Sequence, residues 1–311
     1  MFGDPKRWHP VAAFGGAAQA LQDHMYRPST VRGAQYTLLC VLSAATPGAV
    51  VEHLTSRHPW LRLAAVAATA WAVIGGSSLT SEAERIRCAL EAGDLELARR
   101  SLPSLCGRDP AGLDEPELVR AVIESVAENA SDAVVAPLLW GAIGGLPGFL
   151  GYRAVNTLDA MVGYRSAKYA RFGWAAARLD DVMNWAPARL TGAIACGLSG
   201  LVGGQPALSG RVMRTDGPRH PSPNAGRCEA AFAGALGIRL GGTNTYAGVT
   251  EERHQLGDGR TPVAADIARA VRLCRATATA AVVGAAAAAM LTGRARGGVR
   301  SHRPAADGQP G

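Results

Sequence analysis

The stretch from Ala133 to Gly151 carries no charge, yet Asp132 precedes it and Arg153 follows it closely. An apolar run of that length is near the minimum for crossing a bilayer. Pro137, Gly144-Gly145 and Pro147-Gly148 interrupt it. Two half-helices that meet at a turn, dipping in and returning, therefore fit as well as one straight span. Four more apolar segments lie at roughly 36–51, 63–79, 190–210 and 276–293. A buried core helix is the alternative for any one of them. Five together point to a membrane protein. The expected fold is all-α: a multi-pass membrane helical bundle with Gly/Pro-interrupted or re-entrant helices and motif-bearing loops. Its expected location is the cell membrane.

Composition agrees with close-packed helices. Apolar residues make up 48% of the chain but aromatic residues only 5%. The apolar content is mostly Ala, Leu, Val and Gly, and small residues let helix backbones approach. The net charge is +7. The tail from Arg294 holds four arginines and one aspartate, so +3 of that charge lies there and +4 elsewhere. No Lys/Arg run with interleaved aromatics marks a nucleic-acid surface. The six cysteines include no C-x-x-C pair, which argues for buried thiols over a disulfide framework or zinc site. Residues 1–293 are expected to form one membrane domain, with an amphipathic helical insertion at 80–132. The basic, Gly/Pro-rich segment 294–311 is expected to be disordered.

In chain order, Gly3-Asp4-Pro5 and His9-Pro10 place Asp4 and His9 on a loop that leads into a helix over 11–24. Ser81 with Glu84 reads as a capping box that opens a helical hairpin broken at Gly93-Asp94. Glu115-Pro116-Glu117 starts another helix with acids in its first turn. That helix carries Glu124, Glu128 and Asp132, whose four-residue spacing puts three carboxylates on one face. Such a face is either solvated or set opposite a cation. Arg153, Asn156, Asp159, Arg165, Arg178, Asp180, Asp181 and Asn184 follow closely and favour the second reading.

The loops add Asn129, His220, Asn224 and Asn244, the last just after Gly241-Gly242. Glycine pairs let backbone amides approach an anion, although a simple turn also explains them. No Walker A motif or dinucleotide fingerprint is present. Clustered hard oxygens suit Mg²⁺, and guanidinium groups suit phosphate or carboxylate. The inventory fits a polyanionic substrate handled with a metal. It also allows Arg/Asp pairs that merely tie helices together.

Six ordered motifs then stand out: GDP and HPV within 3–11, ESVAEN and SD within 124–132, YRAVNTLDAMVGY at 152–164, FGWAAARLDDVMNW and PARL within 172–190, HPSPNAG at 220–226, and LGG, N, Y and G within 240–248. Together they resemble the CobD/CbiB family of cobalamin biosynthesis over nearly the whole chain up to Gly248. Family members carry an apolar stretch ahead of the GDP motif, and this chain begins at that motif. The resemblance implies a membrane enzyme, adenosylcobinamide-phosphate synthase. Its implied reaction joins the propionate carboxyl of adenosylcobyric acid to (R)-1-amino-2-propanol O-phosphate, using ATP and Mg²⁺. Implied partners are these two substrates, membrane lipid and other late cobalamin-assembly enzymes.

On that footing Glu124, Glu128 and Asp132 would hold Mg²⁺. Arg153, Arg165 and Arg178 would hold phosphate. Asp159 or Asp181 would take the proton of the attacking ammonium. Asp4, His9, Asn129, Asn156, Asn184, His220, Asn224 and Asn244 would bind substrate. A rival reading is a non-catalytic anion-binding or transport protein of the membrane. Another is a regulatory protein of the AmpE-like branch. All readings meet one topological demand: if 133–151 spans straight through, Glu124 and Arg153 lie on opposite sides. At least one segment is therefore expected to re-enter, or the motifs must converge inside the bundle.

Overall fold

A computed structural model describes residues 10–164, 166–246 and 249–300. Twelve α-helices and one β-hairpin make up its regular elements, apart from short 3₁₀ and π turns. Helices α1 (Pro10–Met25), α2 (Thr30–Thr55) and α3 (Pro59–Val73) precede α4 (Gly76–Glu91) and the short α5 (Leu95–Ser101). Helix α6 (Glu115–Ala130) runs through a wide π turn at Ser131–Val135 into α7 (Ala136–Val162). Then come α8 (Trp174–Met183), α9 (Trp185–Gly197), α10 (Pro206–Thr215) and α11 (Ala225–Leu236). Strands β1 (Leu240–Tyr246) and β2 (Val249–Leu256) pair antiparallel before α12 (Ala264–Arg300).

Among the described residues, four segments are long and apolar enough to cross a membrane: Thr30–Thr55, Pro59–Glu91, Glu115–Val162 and Ala264–Ala289. Their outer faces agree. Leu38, Leu42 and Leu54 on α2 and Leu61, Leu63 and Trp71 on α3 are all exposed, and Trp60 is 82% exposed. A soluble monomer rarely shows so continuous an apolar surface, whereas lipid covers it at no cost. The chain is a helical membrane protein.

The third segment does not run straight. Gly145 sits at φ 63°, ψ −148°, a conformation open essentially to glycine alone. The chain doubles back there, and a Cβ on Gly148 would lie 2.1 Å from the Trp140 carbonyl oxygen. The Tyr152 hydroxyl donates to the Asp132 carbonyl at 3.2 Å across 20 residues of sequence. A straight helix would hold those positions about 30 Å apart. The re-entrant expectation is met at 133–151.

Two cores flank this hairpin. One joins Ile86 of α4, Leu118 and Ile123 of α6, Phe232 of α11 and Ile267 of α12. The other joins Ala18, Tyr36, Leu158, Phe172 and Ala176. Helix α6 forms where its sequence directs: Asp114 and Glu117 make a reciprocal capping box. Its apolar positions fill the first core, each fully buried side chain contributing about 1.5–3 kcal/mol.

Three expectations are corrected. Ser81 is not a cap, because α4 already starts at Gly76 and the Ser81 hydroxyl donates to the Ser77 carbonyl at 2.8 Å. The stretch 190–210 is no single span: α9 ends at Gly197 and a left-handed Gly203 precedes α10. The segment around Gly241-Gly242 is not a simple turn but a strand of the β-hairpin. Helix α12 runs from Ala264 to Arg300.

Candidate active site

The α7 turn returns Asn156 to the end of α6. Asn156 Nδ2 lies 3.4 Å from Asp132 Oδ2 and 3.5 Å from Asp180 Oδ1. One amide thus sits between two carboxylates from separate elements. Asn184 Nδ2 donates to the other oxygen of Asp180 at 2.9 Å, and Asn184 Oδ1 accepts from the Tyr152 hydroxyl at 2.9 Å. Asp159 and Glu128 lie within electrostatic reach of Asp132. Glu128 is solvent-accessible, with Arg253, Asp180, Glu124 and Arg108 as its charged neighbours.

Burial, and then the charge of Asp159, push the Asp180 carboxyl up to about 7. The helical ladder of α8 gives Asp180 and Asn184 their four-residue spacing, so one hydrogen-bonds the other on the same face.

The far side of this acidic cluster is built by the loop before α11 and by the β-hairpin. His220 and Glu229 are both buried, with Nε2 and Oε2 3.7 Å apart. Arg253 Nη1 lies 3.4 Å from His220 Nε2. The Ser222 backbone N–H donates to His220 Nδ1 at 3.1 Å. Burial first, and Arg253 second, hold the His220 imidazole below its usual value. Burial, and then Glu124 and Glu128, hold the Glu229 carboxyl well above its own.

Glu124 has a partner on each oxygen. It accepts from the Arg108 guanidinium and, through Oε1, from the Gly241 backbone N–H at 2.8 Å. Through these two bonds it ties α6 to the Arg108 loop and to the β-hairpin. Arg178 pairs with Asp181 at 3.2 Å on an exposed helix face. Asn224 Nδ2 donates to the Asp181 carbonyl at 2.8 Å, and Arg189 donates to Asn224 Oδ1 at 3.4 Å. Asn129 donates to the Ser125 carbonyl at 3.0 Å. Arg153 donates to Asn156 Oδ1 at 3.3 Å. Asp4, His9 and Arg165 lie outside the described residues.

Sequence reasoning gave no role to Arg108, Tyr152, Glu229 and Arg253. Their signal is tertiary: each gains meaning only from a partner far along the chain.

The pocket gathers more carboxylates than guanidinium groups: Glu128, Asp132, Asp159, Asp180 and Glu229 face Arg153 and Arg253, with Glu124 and Arg108 paired together. A partly buried acidic surplus is favourably met by protons, a cation or a cationic ligand. The donors are oxygens, as a hard cation requires. Among the described residues no three His, Cys, Asp or Glu side chains stand close enough to hold a metal jointly. Mg²⁺ is held by one or two carboxylates, with water and substrate phosphates in its other positions. Glu128 and Asp132, four residues apart and within electrostatic reach of each other, are carboxylates of the kind that would suit such an ion.

A profile of the CobD/Cbib protein family matches residues 1–274. The chain is 53% identical over 283 residues to cobalamin biosynthesis protein CobD of Mycobacterium tuberculosis H37Rv, covering 91% of this chain and 90% of that one. It is 46% identical over 272 residues to cobalamin biosynthesis protein CobD of Geobacter metallireducens, covering 85% and 84%. The Chromobacterium violaceum protein of the same name is 43% identical over 282 residues, covering 88% of each chain. No solved structure matches.

Proposed function

This chain belongs to the CobD/CbiB family, and from that membership we propose that it acts in cobalamin biosynthesis as adenosylcobinamide-phosphate synthase. The reaction is formation of a C–N bond between the propionate carboxyl of adenosylcobyric acid and the amine of (R)-1-amino-2-propanol O-phosphate. ATP first phosphorylates the carboxylate, releasing ADP. The amine then attacks the acyl phosphate and inorganic phosphate leaves. The protein does this as a multi-pass protein of the cell membrane, where it meets the other late cobalamin-assembly enzymes.

The observation that carries the reading is the Asp132–Asn156–Asp180 contact, made by two carboxylates and one amide in an acidic pocket. An ammonium substrate is drawn to such a pocket and must lose a proton before it attacks. A carboxylate with its pKa near 7 is matched to that task at neutral pH. Asp180 fills the role better than Asp181, which pairs with Arg178. Asp159, within electrostatic reach of Asp180, adds negative charge that makes Asp180 more basic. Asn156 keeps Asp132 and Asp180 apart by donating to both, and Tyr152 orients Asn184, which holds Asp180. Glu128 and Asp132 would hold Mg²⁺; when bound, the ion supplies charge neutralisation for the nucleotide phosphates. Arg153 and Arg253 supply positive charge for the substrate phosphates.

The test is amide formation in membranes containing the protein, supplied with adenosylcobyric acid, aminopropanol phosphate, ATP and Mg²⁺, beside a Glu128→Gln variant. Product from the wild type alone is expected. Product from both keeps the synthase and removes Glu128 from the working site. No product from either, with the protein folded and abundant, removes the synthase.

A further inference from the structure

The β-hairpin carries an asparagine that the scaffold does not use. Asn244 is only 2% exposed, and neither its Nδ2 nor its Oδ1 has a hydrogen-bond partner among the described residues. A buried amide left in that state destabilises a fold, so native chains nearly always satisfy it. Its place in the sheet shows what it faces. Gly242 stands opposite Arg253 and Asn244 opposite Glu251 in the antiparallel register. Directly opposed residues share a face, and so do residues two apart on a strand. Asn244 is therefore on the Arg253 face, and Arg253 reaches His220 at the far end of the acidic pocket. Glu124 fixes the hairpin over that pocket through the Gly241 amide.

We propose that Asn244 is the residue that holds the reacting carboxyl group of the substrate. This rests on the function proposed above. Its Nδ2 donates to a carboxyl oxygen of the incoming acid. Its Oδ1 accepts the N–H of the amide that the reaction leaves behind. A neutral asparagine suits both species, because a primary amide offers one donor and one acceptor side by side. A lysine or an aspartate would favour only one of them. Arg253, which pairs with Glu251 at 3.3 Å, brings a guanidinium to the same face. The unsatisfied amide of the free protein then becomes binding selectivity, since a ligand lacking either group leaves it unpaired.

The test is a visible-absorbance titration of purified protein with two corrinoids: adenosylcobyric acid, which bears the carboxyl group, and adenosylcobinamide phosphate, which bears the amide in its place. Wild type is compared with Asn244→Asp, which keeps the shape and the acceptor but replaces the donor with a negative charge. Thermal melting serves as the check on folding. Asn244→Asp is expected to bind the acid at least tenfold more weakly and to bind the amide with less than threefold loss. Equal binding of both corrinoids by variant and wild type overturns the inference and leaves the synthase standing. An equal loss for both also overturns it, since that marks a structural role. A folded wild type that binds neither corrinoid overturns the synthase reading and this inference with it. Asn244→Leu, which removes both polar atoms, is expected to lose at least tenfold for both ligands. Unchanged binding in that variant overturns the inference whatever Asn244→Asp does.

Discussion

Two carboxylate sites in this protein, one buried and one half-buried, are built on opposite plans. Asp266, at the start of α12, is 1% exposed and fully engaged. Arg260 donates to its oxygens at 2.7 and 2.8 Å, Arg269 at 2.7 Å and the Val263 backbone N–H at 3.0 Å. Two guanidinium groups surround one carboxylate, and nothing is left over for a ligand. Asp132 and Asp180 are instead turned toward one another, with only the Asn156 amide between them. More carboxylates gather behind them. A helix end needs an arrangement of the first kind. The second kind destabilises the free protein and makes sense only if something positive arrives. Charge surplus separates the proposed working acids from the structural ones.

The sharpest way to break this comparison is to neutralise one acid in each place. Asp180→Asn is expected to lower amide formation by about 10²–10⁴-fold, the usual weight of a general base. Its melting temperature should hold or rise, because one of the mutually repelling carboxylates is gone. Asp266→Ala should do the reverse. It is expected to destabilise the fold by about 3 kcal/mol, the low end for a broken buried pair since both arginines reach solvent. The activity of its folded fraction should be retained. Thermal melts and turnover per folded molecule read both. Loss of stability in Asp180→Asn would place Asp180 with the structural acids.

Much of this was legible in the sequence. The re-entrant turn was, because Gly144-Gly145 and Pro147-Gly148 cannot continue a regular helix. The start of α6 was too, since Asp114, Pro116 and Glu117 all act within one turn. The capping box at Ser81 misled: Leu79 and Thr80 already belong to the turn before it, and the hydroxyl back-bonds to Ser77. The hairpin was hidden because Gly241 and Gly242, both at positive φ, look like turn residues and not strand residues. Helical spacing makes Glu124 equivalent to Glu128 and Asp132. What distinguishes it is Arg108, in a loop with no pattern of its own. Periodicity shows which residues share a face, but not what the opposite element brings to it.

Glu52 sharpens the comparison at an intermediate level. It lies in apolar α2, yet its Oε2 accepts from the Leu146 backbone N–H at 3.2 Å and its Oε1 lies 3.3 Å from Arg62. It caps the returning half of α7, where orphan N–H groups and the helix dipole favour an anion. Glu52→Gln, which keeps an acceptor, should cost about 0.5–1 kcal/mol. Gly145→Ala should cost about 1–3 kcal/mol, since alanine is strained at φ 63° and its Cβ would lie 2.2 Å from Glu52 Oε2. Both variants should loosen the turn that brings Asn156 to Asp132. Melting temperature and cysteine cross-linking between positions 132 and 156 would measure it. Unchanged cross-linking in Gly145→Ala would show that the turn does not depend on its glycine.

The smallest expected effect lies in pH. The Asp180 carboxyl is raised to about 7 by burial and by Asp159, above its value in the unfolded chain. The folded state therefore binds its proton more tightly than the unfolded state does. That contribution is full below about pH 4, the ordinary carboxylate range, and is lost as pH rises through 7. His220 has the opposite sign: its lowered value favours the folded state above about pH 6.5, a contribution lost as pH falls through its folded pKa. The two overlap, so a single melting curve against pH does not separate them. The difference between wild type and Asp180→Asn does, because the His220 contribution is common to both. Wild type should lose stability relative to Asp180→Asn between pH 4 and 8. Saturating Mg²⁺ should shrink that loss, since a cation in the pocket offsets the charge that the departing proton leaves. A flat difference curve would mean that Asp180 is already compensated within the protein, as Asp266 is, and would remove the contrast between the two sites.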